Sequence, residues 1–138
     1  FLGSLHGFQS QALHDALSSV KAQPFELQVK GAGHFPPRGR PKVIWAGIGN
    51  SQPLMTLQSR VVAALRKADF KLQRRRFRPH VTLARLNGAS SERVAEFLQG
   101  VAGLRQEPFQ VSHFHVYSSH LRSEGADYHL EATYPLGD

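Results

Sequence analysis

An internal repeat restricts most strongly the folds that this chain can adopt. When the sequence is aligned with itself at an offset of 84 residues, no gap is needed over the first 29 positions. Leu13 then meets Phe97 within a helix-like apolar spacing, and Phe25 meets Phe109 at the start of an alternating strand-like spacing. Because two different periodicities stay in register, the sequence predicts a duplicated fold.

The elements predicted around this repeat follow from apolar spacing and from turn residues. Gly31–Pro41 is rich in glycine and proline and is predicted to be a loop, and Phe1-Leu2-Gly3 is typical of the end of a strand. The second repeat unit is complete, whereas the first lacks its opening helix and most of its strand. The predicted helices are Gln9–Val20, Pro53–Ala68 and a segment capped by Ser90 or Ser91 that ends near Gly100, and the predicted strands are Phe25–Lys30, Val43–Ile48, Pro79–Leu86, Phe109–Tyr117 and Tyr128–Tyr134.

A histidine and a threonine stand two residues apart in one of these strands. Side chains alternate along a strand, so His80 and Thr82 share one face, while Val81 and Leu83 point to the other. An imidazole can transfer a proton near neutral pH, and a hydroxyl can donate to an anionic oxygen. The pair is therefore a candidate site for chemistry on a phosphate, although a half-buried strand histidine bonded to a neighbour would look the same.

Basic residues surround this pair. The chain carries a formal net charge of +7 and has a pI near 10.4, which favours polyanionic partners, nucleic acid first and an acidic membrane surface second. Arg78 has the same strand parity as His80. Parity places Arg85 on the opposite face, unless the strand bends after Leu83 or the side chain reaches over its end. The run just upstream suits a phosphate-bearing substrate or is only a solvated surface: Lys71, Arg74, Arg75 and Arg76.

Several other functions are excluded or weakened by composition. The 138 residues suffice for one domain with a real core, they contain no cysteine, and no apolar run approaches the 18 residues of a membrane span. His113 and His115 share a strand face that could hold zinc or copper, but no third ligand cluster is evident, so a polar face is favoured. Phe35, Trp45 and Tyr117 could stack on a nucleobase; for Trp45, in an apolar strand, core packing is favoured.

The stretch from Phe77 to Arg85 resembles the second signature of the two-histidine phosphoesterases. Within them it is most similar to the bacterial and archaeal RNA 2′,3′-cyclic phosphodiesterases, also called 2′-5′ RNA ligases. The resemblance extends over nearly the whole chain in order. Further stretches that carry it are Phe1-Leu2-Gly3, Val43-Ile44-Trp45-Ala46-Gly47, Phe114 to Ser119 and Tyr128 to Leu136.

The resemblance implies an α+β fold of two pseudo-twofold lobes, whose antiparallel sheets face a central cleft with helices outside. Residues 1–138 would form one such domain with interleaved lobes. The family uses two His-x-Thr or His-x-Ser motifs, and no other histidine of this chain is followed two residues later by Ser or Thr. At the repeat offset, the counterpart of His80 falls five residues before Phe1. We therefore expect a strand, a helix and a first His-x-Thr strand upstream of Phe1.

The resemblance also implies an activity. Its members hydrolyse terminal 2′,3′-cyclic phosphates to 2′-phosphates and can join RNA ends through a 2′-5′ linkage, without metal or cofactor. His80 matches the proton acceptor, Thr82 matches the phosphate-binding threonine, and Arg85 and Arg78 are candidates for further phosphate contacts. We expect a cytoplasmic monomer that acts on RNA ends or cyclic nucleotides, with neither a membrane nor a protein partner. The alternative is a catalytically inactive RNA- or nucleotide-binding module of the same fold.

Overall fold

A computed structural model of the chain describes residues 1–137. Within this part, helices and strands mix and each of the larger sheets is antiparallel, which confirms the α+β class. The helices are α1 (Gly7–Ser18), α2 (Gln52–Lys67) and α3 (Ser91–Gly100), and the strands are β1 (Phe25–Leu27), β2 (Val29–Phe35), β3 (Val43–Ile48), β4 (His80–Arg85), β5 (Phe109–Val111), β6 (His113–Arg122) and β7 (Gly125–Pro135).

The strands form three sheets. The largest has the order β2-β3-β4, the β6-β7 hairpin forms the second, and β1 and β5 pair in a short third sheet. By its contacts the chain divides into two compact units that interleave along the sequence. The first unit, called unit 1, comprises residues 1–25, 52–75 and 110–138, and the second, unit 2, comprises residues 26–51 and 76–109.

The core of unit 1 lies between α1, α2 and the β6-β7 hairpin. Leu13, Ala16 and Leu17 form the buried stripe of α1 at the spacing of a single helix face, and they cluster with Leu65 of α2 and Tyr134 of β7. Burial of an apolar side chain contributes on the order of 1.5–3 kcal/mol, so this cluster stabilises unit 1.

In unit 2 the core includes residues of the central strand and of α3. Ile44 and Ala46 of β3 are buried, and Val94 is the buried residue of α3. The start of α3 is fixed by Ser90, whose hydroxyl accepts a hydrogen bond of 3.2 Å from the backbone N–H of Arg93. This is the N-cap that the sequence predicts, and it satisfies one of the free N–H groups of the first turn.

Three of the sequence expectations are wrong. The predicted loop from Gly31 is part of strand β2 as far as Phe35, because backbone pairing with β3 tolerates glycine where a bulky neighbour covers it. The hairpin strands extend well beyond Tyr117, because a tight turn at residues 123 and 124 lets them pair as far as Arg122 and Gly125. The first six residues are not a strand: they pair with no other strand of residues 1–137, and Gly3 has φ of 81°.

Candidate active site

The strand that carries the His-x-Thr pair lies at the edge of the β2-β3-β4 sheet. Every residue of β4 is exposed, including Val81 and Leu83, which are about half exposed. Across the ladder His80 lies opposite Gly47 and Thr82 lies opposite Trp45. Residues directly opposite each other share a face of the sheet, so His80, Thr82 and Trp45 are neighbours on one face.

A β-bulge in β4 changes the direction of Arg85. Thr82 pairs with Trp45 and Ala84 pairs with Ile44, so β4 uses one more residue than β3 over this step, and the extra residue is Leu83. Such an insertion reverses the alternation of faces beyond it. Arg85 lies opposite Val43, which is on the face of Trp45, and it therefore joins His80 and Thr82. Simple parity therefore fails at Arg85, and of the two alternatives that the sequence left open, the irregularity after Thr82 corresponds to a strand that bends near Leu83.

The imidazole of His80 is oriented by a backbone carbonyl. Its Nδ1 lies 2.6 Å from the carbonyl oxygen of Arg78. A carbonyl oxygen can only accept, so in the neutral ring Nδ1 carries the proton and donates, and Nε2 holds a free lone pair. Nε2 has no hydrogen-bond partner within residues 1–137. The ring is thus arranged to accept a proton from a bound molecule.

Two aromatic rings lie against this imidazole. The ring centroid of Phe35 is 5.0 Å from that of His80 in an edge-to-face arrangement, and the centroid of Trp45 is 6.4 Å from it. Trp45 is half-buried on this face and is not among the buried core residues, so the expectation of core packing is wrong. These contacts were missed at the sequence level. No local sequence signal indicates them, because Gly31 and Gly33 disfavour a strand when they are considered alone.

The arginines just upstream of β4, Arg74, Arg75, Arg76 and Arg78, are exposed. Arg78 lies two residues before the first residue of β4, and its carbonyl contacts His80. The run 74–76 has no regular secondary structure and is fully solvent-facing. In the part of the chain that the structure describes, none of these side chains is paired with a carboxylate; the ion pair found there joins Arg122 and Asp127.

His113 and His115, the candidate metal ligands of the sequence analysis, lie on the β6-β7 hairpin of unit 1. The rings of His113 and His115 are stacked with centroids 6.4 Å apart. Nδ1 of His113 lies 2.8 Å from the hydroxyl of Ser112, and Nδ1 of His115 lies 3.0 Å from that of Thr133. Residues 1–137 bring together no group of three or more metal-ligating side chains. The pair is therefore a polar strand face whose imidazoles are hydrogen-bonded to neighbouring hydroxyls.

The face around His80 combines the groups that phosphate chemistry needs. Within the six residues of β4, it presents a free imidazole nitrogen of His80, the hydroxyl of Thr82 and the guanidinium of Arg85. A hydroxyl and a guanidinium both donate to phosphate oxygens, and the guanidinium offers two donors in a fixed fork. The arrangement is that of a base beside an anion-binding pair.

Comparison with known proteins identifies the family of this chain. A model of the 2′-5′ RNA ligase superfamily matches residues 6–122, and the chain belongs to this family of phosphoesterases. An RNA 2′,3′-cyclic phosphodiesterase of Aeropyrum pernix is 28% identical over 130 residues, which cover 93% of this chain and 74% of the relative. A protein of the same name from Archaeoglobus fulgidus is 29% identical over 128 residues, which cover 93% of this chain and 72% of the relative.

Solved structures show the same fold. Escherichia coli LigT in its apo form matches all of this chain and 73% of its own with a TM-score of 0.76 at 20% identity. LigT complexed with 3′-AMP matches all of this chain and 74% of its own with a TM-score of 0.75 at 19% identity. At such identities the likeness establishes the fold. No helix among residues 1–137 is both long and apolar enough to cross a membrane.

Proposed function

We propose that this chain supplies the base, His80, for hydrolysis of the 2′,3′-cyclic phosphate at RNA ends to a 2′-phosphate. The observation that carries the proposal is the hydrogen bond from Nδ1 of His80 to the Arg78 carbonyl, which leaves Nε2 free on the face that Thr82 and Arg85 share. The names of the Aeropyrum pernix and Archaeoglobus fulgidus relatives support this activity, and the 3′-AMP complex of LigT supports a nucleotide ligand.

In this reaction His80 activates water. Nε2 takes a proton from the water molecule as its oxygen forms a bond to phosphorus, and the bond between phosphorus and the ribose 3′ oxygen breaks. A general base of this kind contributes about 10²–10⁴-fold in rate. Because the Nδ1 proton is held by the carbonyl of Arg78, the imidazolium that forms keeps its orientation and can return its proton.

Thr82 and Arg85 bind the phosphate in this scheme. The Thr82 hydroxyl donates to one non-bridging oxygen, and the Arg85 guanidinium neutralises charge that develops on the group in the transition state. Arg78, exposed just before the strand, supplies further positive charge to the approaching polyanion. None of these side chains has a competing carboxylate within residues 1–137, so each is available to the substrate.

The leaving 3′ oxygen needs a proton from an acid on the other side of phosphorus. The family resemblance assigns that acid to the histidine of a first His-x-Thr motif, which the 138 residues do not contain. The same pair of histidines would catalyse joining of RNA ends when a 5′ hydroxyl replaces water, since the nucleophile then loses its proton to His80 and a 2′-5′ linkage results.

The test is hydrolysis of a 2′,3′-cyclic mononucleotide, in the presence of EDTA, by a protein that joins the proposed upstream His-x-Thr segment to these 138 residues; below, this is called the full-length protein. We expect a 2′-phosphate product and a fall of at least ~10²-fold for His80→Ala. His129→Ala is the matched control, because it removes another exposed strand histidine and should leave the rate unchanged. A His80→Ala protein that retains the parental rate, or a 3′-phosphate product, contradicts the proposal.

The single motif favours a second candidate, a module that binds RNA ends without turnover. It predicts that the 138-residue chain binds a 2′-nucleotide but hydrolyses cyclic phosphate feebly or not at all. The two candidates separate in the full-length protein, where the enzyme restores multiple turnover and the binding module does not. Calorimetric binding of a 2′-nucleotide, measured on both lengths, supplies the reference.

A further inference from the structure

On the face of the sheet that carries His80, a residue without a side chain lies opposite the largest side chain. Gly33 of β2 lies directly opposite Trp45 of β3. A Cβ atom built on Gly33 would lie 2.3 Å from Cζ2 and 2.4 Å from Cη2 of the indole. Atoms of two side chains never approach so closely, so the indole occupies the space that any other residue at position 33 would fill.

The indole and a phenyl ring together bound the imidazole. Phe35 follows Gly33 by two residues on the same face, and its centroid is 5.4 Å from that of Trp45 and 5.0 Å from that of His80. The Trp45 centroid lies 6.4 Å from that of His80. All three separations fall within the range of about 4.5–7 Å in which aromatic rings attract one another.

His80 needs such support because its strand gives it none. It lies on an exposed edge strand whose six residues are all solvent-facing, so no core packs around the imidazole. An exposed side chain of this kind changes rotamer within nanoseconds. One hydrogen bond to the Arg78 carbonyl fixes Nδ1, but the ring can still leave it by rotation about its side-chain bonds.

We propose that Phe35 and Trp45 are positioning residues that hold the His80 imidazole with Nδ1 on the Arg78 carbonyl and Nε2 free, and that Gly33 is the position that allows this. The two rings and their glycine are named the aromatic bracket. The inference rests on the proposed function, since a fixed Nε2 matters only to a base. The inference gives Phe35 and Trp45 the role of positioning residues, which contact the base His80 and not the phosphate.

Because the indole of Trp45 fills the space beside Gly33, adding a single methyl group at position 33 should disturb the aromatic bracket. In Gly33→Ala the new Cβ displaces the indole, and the indole can no longer lie beside both Phe35 and His80. Removing the phenyl ring by Phe35→Leu withdraws the edge-to-face contact without adding volume. Phe35→Tyr keeps the ring and should rescue the orientation. Phe97→Leu is the matched control, since Phe97 is a half-exposed aromatic residue of α3 in the same unit.

The decisive measurement is nitrogen NMR of the histidine rings in the full chain at a pH of about 8.5, where imidazoles are mostly neutral. The His80 signals are assigned by their loss in His80→Gln. We expect His80 to have its proton on Nδ1 in the native chain, in Phe35→Tyr and in Phe97→Leu. In Phe35→Leu, Trp45→Leu and Gly33→Ala the ring should exchange between both tautomers. If the Nδ1 tautomer stays fixed in folded Phe35→Leu and Trp45→Leu, the bracket is overturned.

Kinetics of the full-length protein give an independent second measurement. Because misplacement by about 1 Å can cost on the order of 10²-fold in rate, Phe35→Leu should lower kcat by roughly tenfold or more while KM changes little. Phe35→Tyr should restore kcat, which a general loss of folding would not allow. Equal changes in kcat and KM would contradict positioning. Failure of the proposed function is distinguishable, because an active His80→Gln protein disproves the base without touching the tautomer result.

Discussion

The two larger sheets of this molecule, which the internal repeat predicts to be related, differ in the side chains that they expose. In unit 2 the central strand β3 is paired on both sides, with β2 and with the His80 strand β4. In unit 1 the hairpin strand β7 is paired, within residues 1–137, with β6 alone. The third strand is what brings a base, a hydroxyl and a guanidinium to one face, so unit 2 carries the candidate chemistry of this chain.

One cross-strand pair illustrates the difference between these sheets. Gly33 opposes Trp45, which folds flat over it, whereas Tyr117 opposes Leu130 and both remain more than half exposed, at 56% and 55%. The indole therefore covers the backbone at Gly33, whereas the Tyr117 and Leu130 side chains stay largely in solvent.

The largest expected effect tests whether the two threonines differ in the way that their units do. Thr82→Val removes the hydroxyl from an exposed strand position that tolerates valine well. Because a hydrogen bond to a charged group contributes about 1.5–3 kcal/mol, 2′-nucleotide affinity should fall by roughly 10–150-fold. Thr133→Val in unit 1 is the matched control and should leave affinity unchanged. Equal losses in both variants, measured by calorimetry, would break the comparison.

A smaller effect is expected at Arg85, where the bulge at Leu83 matters. Arg85→Gln should weaken binding of a 2′-nucleotide by about tenfold, in keeping with the loss of one charge-assisted contact. Arg85→Lys should restore only part of it, since lysine lacks the guanidinium fork. Arg93→Gln, on helix α3 of the same unit, changes the charge equally and is the control. If Arg93→Gln weakens binding as much as Arg85→Gln, only net charge is at work.

The fold was predictable where local and long-range signals agree. Strand β3 coincides with the predicted Val43–Ile48, and Ser90 caps α3 as expected, because an apolar β-branched run and a serine before a charged turn each favour one structure. Strand β2 was missed because Gly31 and Gly33 disfavour strands taken alone. Only the indole of Trp45, ten or more residues away in sequence, explains why glycine is needed at position 33.

The candidate site was predictable in its residue types but not in its geometry. His80 and Thr82 share a face as strand alternation requires. Arg85 joins them through a bulge at Leu83, and a bulge leaves no mark in a six-residue strand because it depends on pairing with the neighbouring strand. Likewise, no sequence pattern indicates that the carbonyl of Arg78 accepts from His80, since every residue has a carbonyl.

The basic run at residues 74–76 should influence RNA attraction and not chemistry. These arginines are exposed and make no ion pair within residues 1–137. Each phosphate contact with a single strand contributes about 0.7 to the slope of log affinity against log salt. Replacing all three with glutamine should therefore flatten the slope by about two for short RNAs between ~50 and ~200 mM salt, with little dependence on base sequence. A sequence-selective, salt-independent profile would contradict this and indicate a module that reads bases.

The control for the basic run is the hydrolysis of a cyclic mononucleotide, which has no further phosphates to contact. The triple variant of the full-length protein should retain nearly the parental rate. A large loss in this assay would place one of the three arginines at the reacting phosphate. Residues 74–76 would then share the phosphate-binding role that is proposed for Arg85.

The smallest expected effect belongs to the core of unit 1 and concerns alkaline pH. Burial raises the pKa of the Tyr134 phenol above its ordinary value of 10.0. In the unfolded chain the phenol loses its proton near pH 10, while in the folded chain it keeps it to higher pH, so the unfolded state gains as pH rises. This contribution to stability is therefore fully present below about pH 9 and is lost progressively above about pH 10.

Tyr134→Phe removes that titration and also the contact between its hydroxyl and Nδ1 of His14, which lie 3.2 Å apart. At pH 8 the variant should be less stable by about 0.5–1.5 kcal/mol, the usual net contribution of one hydrogen bond. Between pH 8 and 11 the deficit should shrink, because only the native phenol is penalised as pH rises. Urea unfolding measures both quantities. Tyr128→Phe, on the same strand but 62% exposed, should follow the native chain at every pH. If the deficit of Tyr134→Phe stays constant from pH 8 to 11, burial does not raise the pKa of the Tyr134 phenol. The core of unit 1 would then give this residue no more protection from titration than the exposed strand β4 could give.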